Sequence, residues 1–181
     1  MLMHKDVEEI LVAEQDIIEK CKELGKQISA DYEGKKPLII GLLKGSVPFL
    51  AELIKRIECP IEIDFIAVSS YSGVNSTGNV VIKKDVTTDM TNRHIILVED
   101  IVDTGLTLSK VVKEFKTRNI ASCEIVTLLD KPEGRKVDDM EPKYIGFKIP
   151  NKFVIGFGLD YNELYRNLPY VGVLKKEVYS K

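Results

Sequence analysis

Residues 95–109 read IILVEDIVDTGLTLS and place three carboxylates, Glu99, Asp100 and Asp103, within five positions of one another. An aliphatic run leads into them. Charge beside an apolar strand is costly unless something compensates it, so the acids need a task. Thr104-Gly105-Leu106-Thr107 follows and runs into a helical pattern. At a helix start, unpaired backbone N–H groups and the macrodipole favour a phosphate. Gly105 lets backbone approach an anion closely, while Thr104, Thr107 and Ser109 offer hydroxyls. An acidic loop that caps a helix through Asp103 would explain one acid but not three. Carboxylates also accept hydrogen bonds from sugar hydroxyls and attract Mg²⁺. A phosphate grip, a diol acceptor and a metal-attracting pair together meet the demands of a phosphorylated ribose carrying pyrophosphate.

The surrounding pattern predicts the scaffold. Residues 38–43 (LIIGLL) are almost wholly apolar, as in a strand covered on both faces, and residues 95–98 and 125–129 read the same way. Residues 61–70 alternate and are rich in β-branched types. Helices are expected over residues 14–33, with Ile17, Ile18, Cys21, Leu24 and Ile28 three to four apart, and from Ser46 to about residue 57, with Ser46 as cap and Pro48 in the first turn. A third is expected over residues 104–118, with Leu106, Val111, Val112 and Phe115 mostly on one side. Residues 10–12, 144–149, 153–157 and 171–174 read as short strands. Alternation of strands and helices predicts an α/β fold: a mostly parallel, twisted sheet flanked by helices, with a small subdomain from the chain ends. In such sheets ligands bind outside the carboxyl ends of the strands. Lys44-Gly45-Ser46 and the acidic stretch both fall at such ends.

Composition narrows the functional class. The chain has 181 residues, 44% hydrophobic and 30% charged, which suits one domain with a substantial core. Its net charge of −2 provides no broad positive field for nucleic acid. Cys21, Cys59 and Cys123 fit neither a disulfide framework nor a zinc pattern and suit a reducing cytoplasm. Residues 1–10, MLMHKDVEEI, lack the apolar core of a secretory signal, and no apolar run is long enough to span a membrane. No Walker-type loop and no G-x-G-x-x-G occurs.

The stretch Val98-Glu99-Asp100-Ile101-Val102-Asp103-Thr104-Gly105-Leu106-Thr107 resembles the phosphoribosyl pyrophosphate (PRPP)-binding motif of the type I phosphoribosyltransferases. Further resemblance lies in Leu43-Lys44-Gly45-Ser46, Ser70-Tyr71, Leu129-Asp130-Lys131, and residues 152–163 (KFVIGFGLDYNE) through Arg166. It covers nearly the whole chain and is nearest to the bacterial hypoxanthine–guanine branch.

That resemblance implies purine salvage: transfer of phosphoribosyl from PRPP to hypoxanthine or guanine, with Mg²⁺ as cofactor, in a cytoplasmic homodimer or homotetramer without nucleic-acid or membrane partners. It implies that residues 1–181 form a single domain, with a hood from about 1–13 and 150–181. Asp103 would be the catalytic base. Lys44, Gly45, Asp103, Thr104, Gly105, Leu106, Thr107 and Arg166 would hold PRPP and its phosphates. Glu99, Asp100 and Asp160 would serve the ribose and the metal. Ile101, Lys131, Phe153, Val154 and Asp160 would hold the purine. Ser70 and Tyr71 would stand at the base of a lid loop over residues 70–79. The resemblance also allows a cis peptide before Lys44. Alternatives are a xanthine-preferring transferase and an RNA-binding attenuator on the same fold; the latter group commonly lacks an acid at the position of Asp103.

Overall fold

The computed structural model describes residues 3–70, 80–138 and 140–180. Tyr71 and the expected lid over residues 71–79 lie outside them. After a short 3₁₀ turn at Met3–Asp6 come β1 (Val7–Val12), α1 (Glu14–Asp31), β2 (Leu38–Leu43), α2 (Val47–Ile54), β3 (Glu62–Ser70) and β4 (Val80–Lys84). Then follow β5 (His94–Val102), α3 (Leu106–Lys116), β6 (Ser122–Asp130), β7 (Tyr144–Lys148), β8 (Val154–Ile155), β9 (Val171–Leu174) and α4 (Lys176–Tyr179).

Among the described residues the larger sheet has the order β4-β3-β2-β5-β6-β7, and only β4 runs antiparallel to its neighbour. The apolar strands β2 and β5 sit at its centre, with Leu38, Ile39 and Ile40 and then Ile95, Ile96, Leu97 and Val98 fully buried. α1 and α2 cover one face through Ile17, Cys21, Leu24, Ile28, Phe49 and Leu53. α3 covers the other through Leu108, Val111, Val112 and Phe115. A smaller antiparallel sheet, β1-β9-β8, joins the two ends of the chain, with Val7 opposite Leu174 and Val154 opposite Val173.

Several expected boundaries shift. β5 does not stop at Val98 but runs to Val102, because its ladder with β6 continues through Glu99↔Thr127 and Ile101↔Leu129. The helix expected from Thr104 starts at Leu106, since its N-cap is Gly105 in the left-handed region at φ 73°. Leu106 itself is 44% exposed and does not belong to the buried stripe. α2 ends at Ile54. Ser46 does not cap it with its hydroxyl; the residue is already helical (φ −67°, ψ −13°), and its carbonyl accepts from the Leu50 N–H at 2.8 Å. The three cysteines are free thiols, and burial pushes Cys21 and Cys123 up to about 12. Among the described residues no helix is long and apolar enough to cross a membrane.

Candidate functional site

β2, β5 and β6 are parallel, so their carboxyl ends open on one edge of the sheet. The chain leaves β2 at Lys44-Gly45, β5 at Asp103 and β6 at Lys131. Because Val102 pairs with Asp130, Asp103 and Lys131 follow at adjacent strand tips. Lys131 is 7% exposed, and its Nζ donates to Asp103 Oδ2 at 3.1 Å. Its backbone N–H donates to the Val102 carbonyl at 3.0 Å. A buried ammonium has to be paired, and a carboxylate 28 residues upstream does it. Asp103 is therefore held by Lys131 rather than spent as a helix cap.

The turn after Asp103 rests on the segment that follows β6. The Lys136 N–H donates to the Thr104 carbonyl at 3.0 Å. A Cβ on Gly134 would fall 2.0 Å from Asp103 Oδ1, and one on Gly105 would fall 2.8 Å from Val137 and 3.2 Å from Arg135 and Met140. Arg135 is fixed in turn by the buried Asp130 carboxylate and the Met140 carbonyl. No side chain makes an N-capping bond to α3, and the Leu106 N–H has only a long contact to Thr104 Oγ1 (3.4 Å). The first-turn donors thus remain available for an anion. A cavity of about 130 Å³ opens here, lined by Glu99, Ile101, Asp103, Thr104, Gly105 and Thr107 among others. A larger hollow of about 390 Å³ lies between α1 and α2, but it is lined by surface charges such as Lys22, Lys26, Lys55 and Arg56 and holds none of the expected site residues.

Strand alternation separates the two adjacent acids. Glu99 lines the cavity beside the phosphate turn, whereas Asp100 lies against Gly45, where an added Cβ would sit 1.7 Å from Asp100 Oδ2. Burial, and then the charge of Asp100, push the Glu99 carboxyl well above its ordinary range. Burial pushes Asp100 up to about 6, against the Ile101 N–H bond (2.7 Å) and the positive Arg166, while Asp160 adds to the rise.

Residues 156–166 bring a second set of charges to the same edge. Arg166 donates to the Gly158 carbonyl at 2.7 Å and pairs with Asp160 at 2.9 Å and Glu163 at 3.4 Å. Glu163 also pairs with Lys44 at 3.0 Å. Both cations expected to meet pyrophosphate are therefore held by carboxylates of this one segment. The peptide joining Leu43 to Lys44 is cis. Phe157, Asn162, Glu163 and Tyr165 all have positive φ, between 48° and 77°, so the segment is strained as well as charged. At Gly158 (φ 102°) a Cβ would fall 1.9 Å from the Gly45 carbonyl, so the smaller sheet's loop touches the lysine loop backbone to backbone.

Phe153 is 40% exposed at the start of β8, its carbonyl accepting from Leu174 N–H at 3.0 Å, and Val154 is buried beside it. Ile101 packs on the core below α1 and α2. Ser70 ends β3. Sequence reasoning missed Arg135 and Gly134, and it placed Glu163 in the C-terminal block without giving it a role. Arg135 has no partner in view along the sequence, and Gly134 carries no signal short of the packing itself.

A family model described as the phosphoribosyl transferase domain matches residues 7–162, ending short of Arg166 and α4. The hypoxanthine-guanine phosphoribosyltransferase of Lactococcus lactis is 59% identical over 180 residues, spanning 99% of this chain and 97% of that one. Its counterpart in Streptococcus mutans is 55% identical over 181 residues, spanning 99% and 100%. The crystal structure of a hypoxanthine phosphoribosyltransferase from Staphylococcus aureus superposes with a TM-score of 0.96 at 52% identity, covering 100% of this chain and 98% of that one.

Proposed function

The chain belongs to the phosphoribosyl transferase domain family, and from that premise we propose that it transfers the 5-phosphoribosyl group of PRPP to hypoxanthine or guanine. IMP or GMP and pyrophosphate are the products. One observation carries the reading: a carboxylate and a buried lysine meet at neighbouring strand tips, next to a helix start with free donors.

The 5′-phosphate is gripped by the N–H groups and hydroxyls of Thr104, Gly105, Leu106 and Thr107. Glu99 and Asp100 accept from the ribose diol. Lys44, the Gly45 amide and Arg166 face the pyrophosphate, which exchanges for Glu163 and Asp160 as their anionic partner. The purine forms its bond to the anomeric carbon as the bond to pyrophosphate breaks, and Asp103 takes the proton lost by the ring at N7. Such base assistance contributes roughly 10²–10⁴-fold. Lysine carries three donors; one serves Asp103, leaving the others for the purine O6. A 6-amino group in that place would set donor against donor, so adenine is refused. Phe153 stacks on the ring with Ile101 on its other face, and the backbone at Val154 and Asp160 reads the remaining edge.

The donor set suits Mg²⁺. Asp100 and Asp160 are hard oxygen ligands, and the charge of Asp160 raises the cost of ionising Asp100, which a cation relieves. Among the described residues no three ligating side chains form a closed cage, while Mg²⁺ commonly takes one or two carboxylates and completes its shell with substrate oxygens. When bound, the ion offsets charge on the leaving pyrophosphate. The same proposal includes a single domain over residues 1–181, a hood built from about 1–13 and 150–181, a lid based at Ser70 and Tyr71, a homo-oligomer, and a cytoplasmic location.

Steady-state assays with PRPP, Mg²⁺ and each of hypoxanthine, guanine, xanthine and adenine test it. Hypoxanthine and guanine should turn over, adenine should not, and a chelator should abolish activity until Mg²⁺ is restored. Absence of turnover with every purine, together with a shift of leader RNA on a gel, would favour the attenuator instead.

A further inference from the structure

We propose that Tyr179, in the C-terminal helix α4, is a positioning residue for the purine, acting through Phe153 as the third layer of a stack. The inference rests on the transferase reading above. Tyr179 lies on Phe153 with ring centroids 4.9 Å apart and planes 22° from parallel. Tyr161 meets the Phe153 ring edge-on at 5.8 Å and 86°, and meets Tyr179 at 6.5 Å and 65°. Two tyrosine rings thus converge on the exposed aromatic of the site, Phe153.

The arrangement is fixed from behind. Tyr161, Val178 and Tyr179 pack against a core of Ile155, Tyr165, Leu168, Tyr170 and Leu174. The Lys175 N–H donates to the Asp6 carbonyl at 2.9 Å, which ties the start of α4 to the opposite end of the chain, and the Val178 N–H donates to the Lys175 carbonyl at 3.0 Å within the turn itself. The Phe153 main chain is held by Leu174, five residues before Tyr179. The same C-terminal segment therefore sets both the backbone and the ring plane of Phe153. With one face against Tyr179 and an edge against Tyr161, the ring has one face left to offer. An isolated exposed phenylalanine would lose rotamer freedom on binding a base, whereas a ring already stacked has lost it in advance. The sandwich of two flat rings is what Tyr179 contributes; its hydroxyl makes no necessary contact in this argument.

The test uses the full chain and the variants Tyr179→Phe, Tyr179→Leu and Tyr179→Ala. The KM for hypoxanthine is measured at saturating PRPP, the KM for PRPP at saturating hypoxanthine, and melting is followed in parallel. Tyr179→Phe should match the wild type. Leu and Ala should raise the hypoxanthine KM by about 2- to 12-fold, the scale of one aromatic pair, with the PRPP KM and kcat within about twofold. Should Ala fail to fold, Leu keeps the apolar bulk without the flat face and carries the comparison. An unchanged hypoxanthine KM overturns the proposal, as does an equal rise for PRPP, which would make Tyr179 a general brace. A fall in the hypoxanthine KM also overturns it, since the tyrosine would then be occupying the purine's own place. A wild type inactive with all purines would instead sink the transferase reading, and this assignment with it.

Discussion

Replacing Gly45 with alanine isolates one contact in the site. Gly45 has no positive φ, so the added methyl meets no backbone penalty, and its effect is steric alone. Its Cβ would lie 1.7 Å from Asp100 Oδ2 and 2.7 Å from Asp100 Cγ. Ordinary contact begins at about 3.4 Å, so one partner must retreat by roughly 1.7 Å. The glycine cannot easily do so, because its carbonyl is backed by Gly158. Asp100 must swing instead, leaving its rotamer and its bond to the Ile101 N–H. An off-rotamer side chain costs about 0.5–1.5 kcal/mol, and a lost hydrogen bond to a charged group about 1.5–3 kcal/mol. The sum, roughly 2–4.5 kcal/mol, corresponds to a fall of about 30- to 2,000-fold in kcat/KM for PRPP. The hypoxanthine KM should stay within about threefold, because the purine platform is elsewhere. Gly34→Ala is the control: φ is 73° and nothing lies within 4 Å, so it should lower Tm through backbone strain of about 1–2 kcal/mol and leave kinetics alone. If the two variants gave the same profile, with PRPP kinetics unchanged in both, Asp100 would have no part in holding PRPP.

Three other outcomes are expected. Asp103→Asn should lower the single-turnover rate by roughly 10²–10⁴-fold while PRPP binding by calorimetry stays near wild type. Lys131→Gln should raise the ratio of adenine to hypoxanthine kcat/KM in paired steady-state assays, since the amide can accept from a 6-amino group. Glu163→Gln removes the carboxylate shared by Lys44 and Arg166 and should lower the PRPP KM by up to about fivefold, an effect that fades as salt is added.

A stability prediction concerns Asp64. Burial alone would raise its carboxyl, but the N–H groups of Phe65, Thr88 and Thr87 and the Thr88 hydroxyl hold it well below the usual range. A lowered pKa means that this stabilisation is present above the unfolded value near 4 and is lost as the pH falls through the folded value. Asp64→Asn should therefore cost several degrees of Tm at pH 7, with the gap to wild type closing below about pH 4 in thermal scans.

The strands that carry the site were legible because buried parallel strands need continuous apolar runs, and LIIGLL gives β2 its bounds residue for residue. β5 was read short because composition penalises acids in a strand, whereas its ladder with β6 carries the backbone through them. The start of α3 differs for a related reason: the pattern places Thr104 in the helix with Asp103 before it as a cap by type, yet Gly105 in the left-handed region delays the helix to Leu106. Pairings across long separations were invisible. Nothing local to Lys131 names Asp103 as its partner, and nothing local to Glu163 names Lys44 until the fold brings them together. What the sequence did supply was residue type at the strand tips; what it withheld was which tips face each other.

The pairing of β1 with β9 bears on when, during synthesis, this chain becomes an enzyme. Val7 finds its partner only at Leu174, so the first strand made must wait for almost the last. Among the described residues the larger sheet contains nothing beyond Lys148, so it is free to assemble while the tail is still in the ribosome. A nascent or prematurely terminated chain would thus own a phosphate turn but neither the platform for the base nor Arg166, and so would present only the beginnings of a donor site.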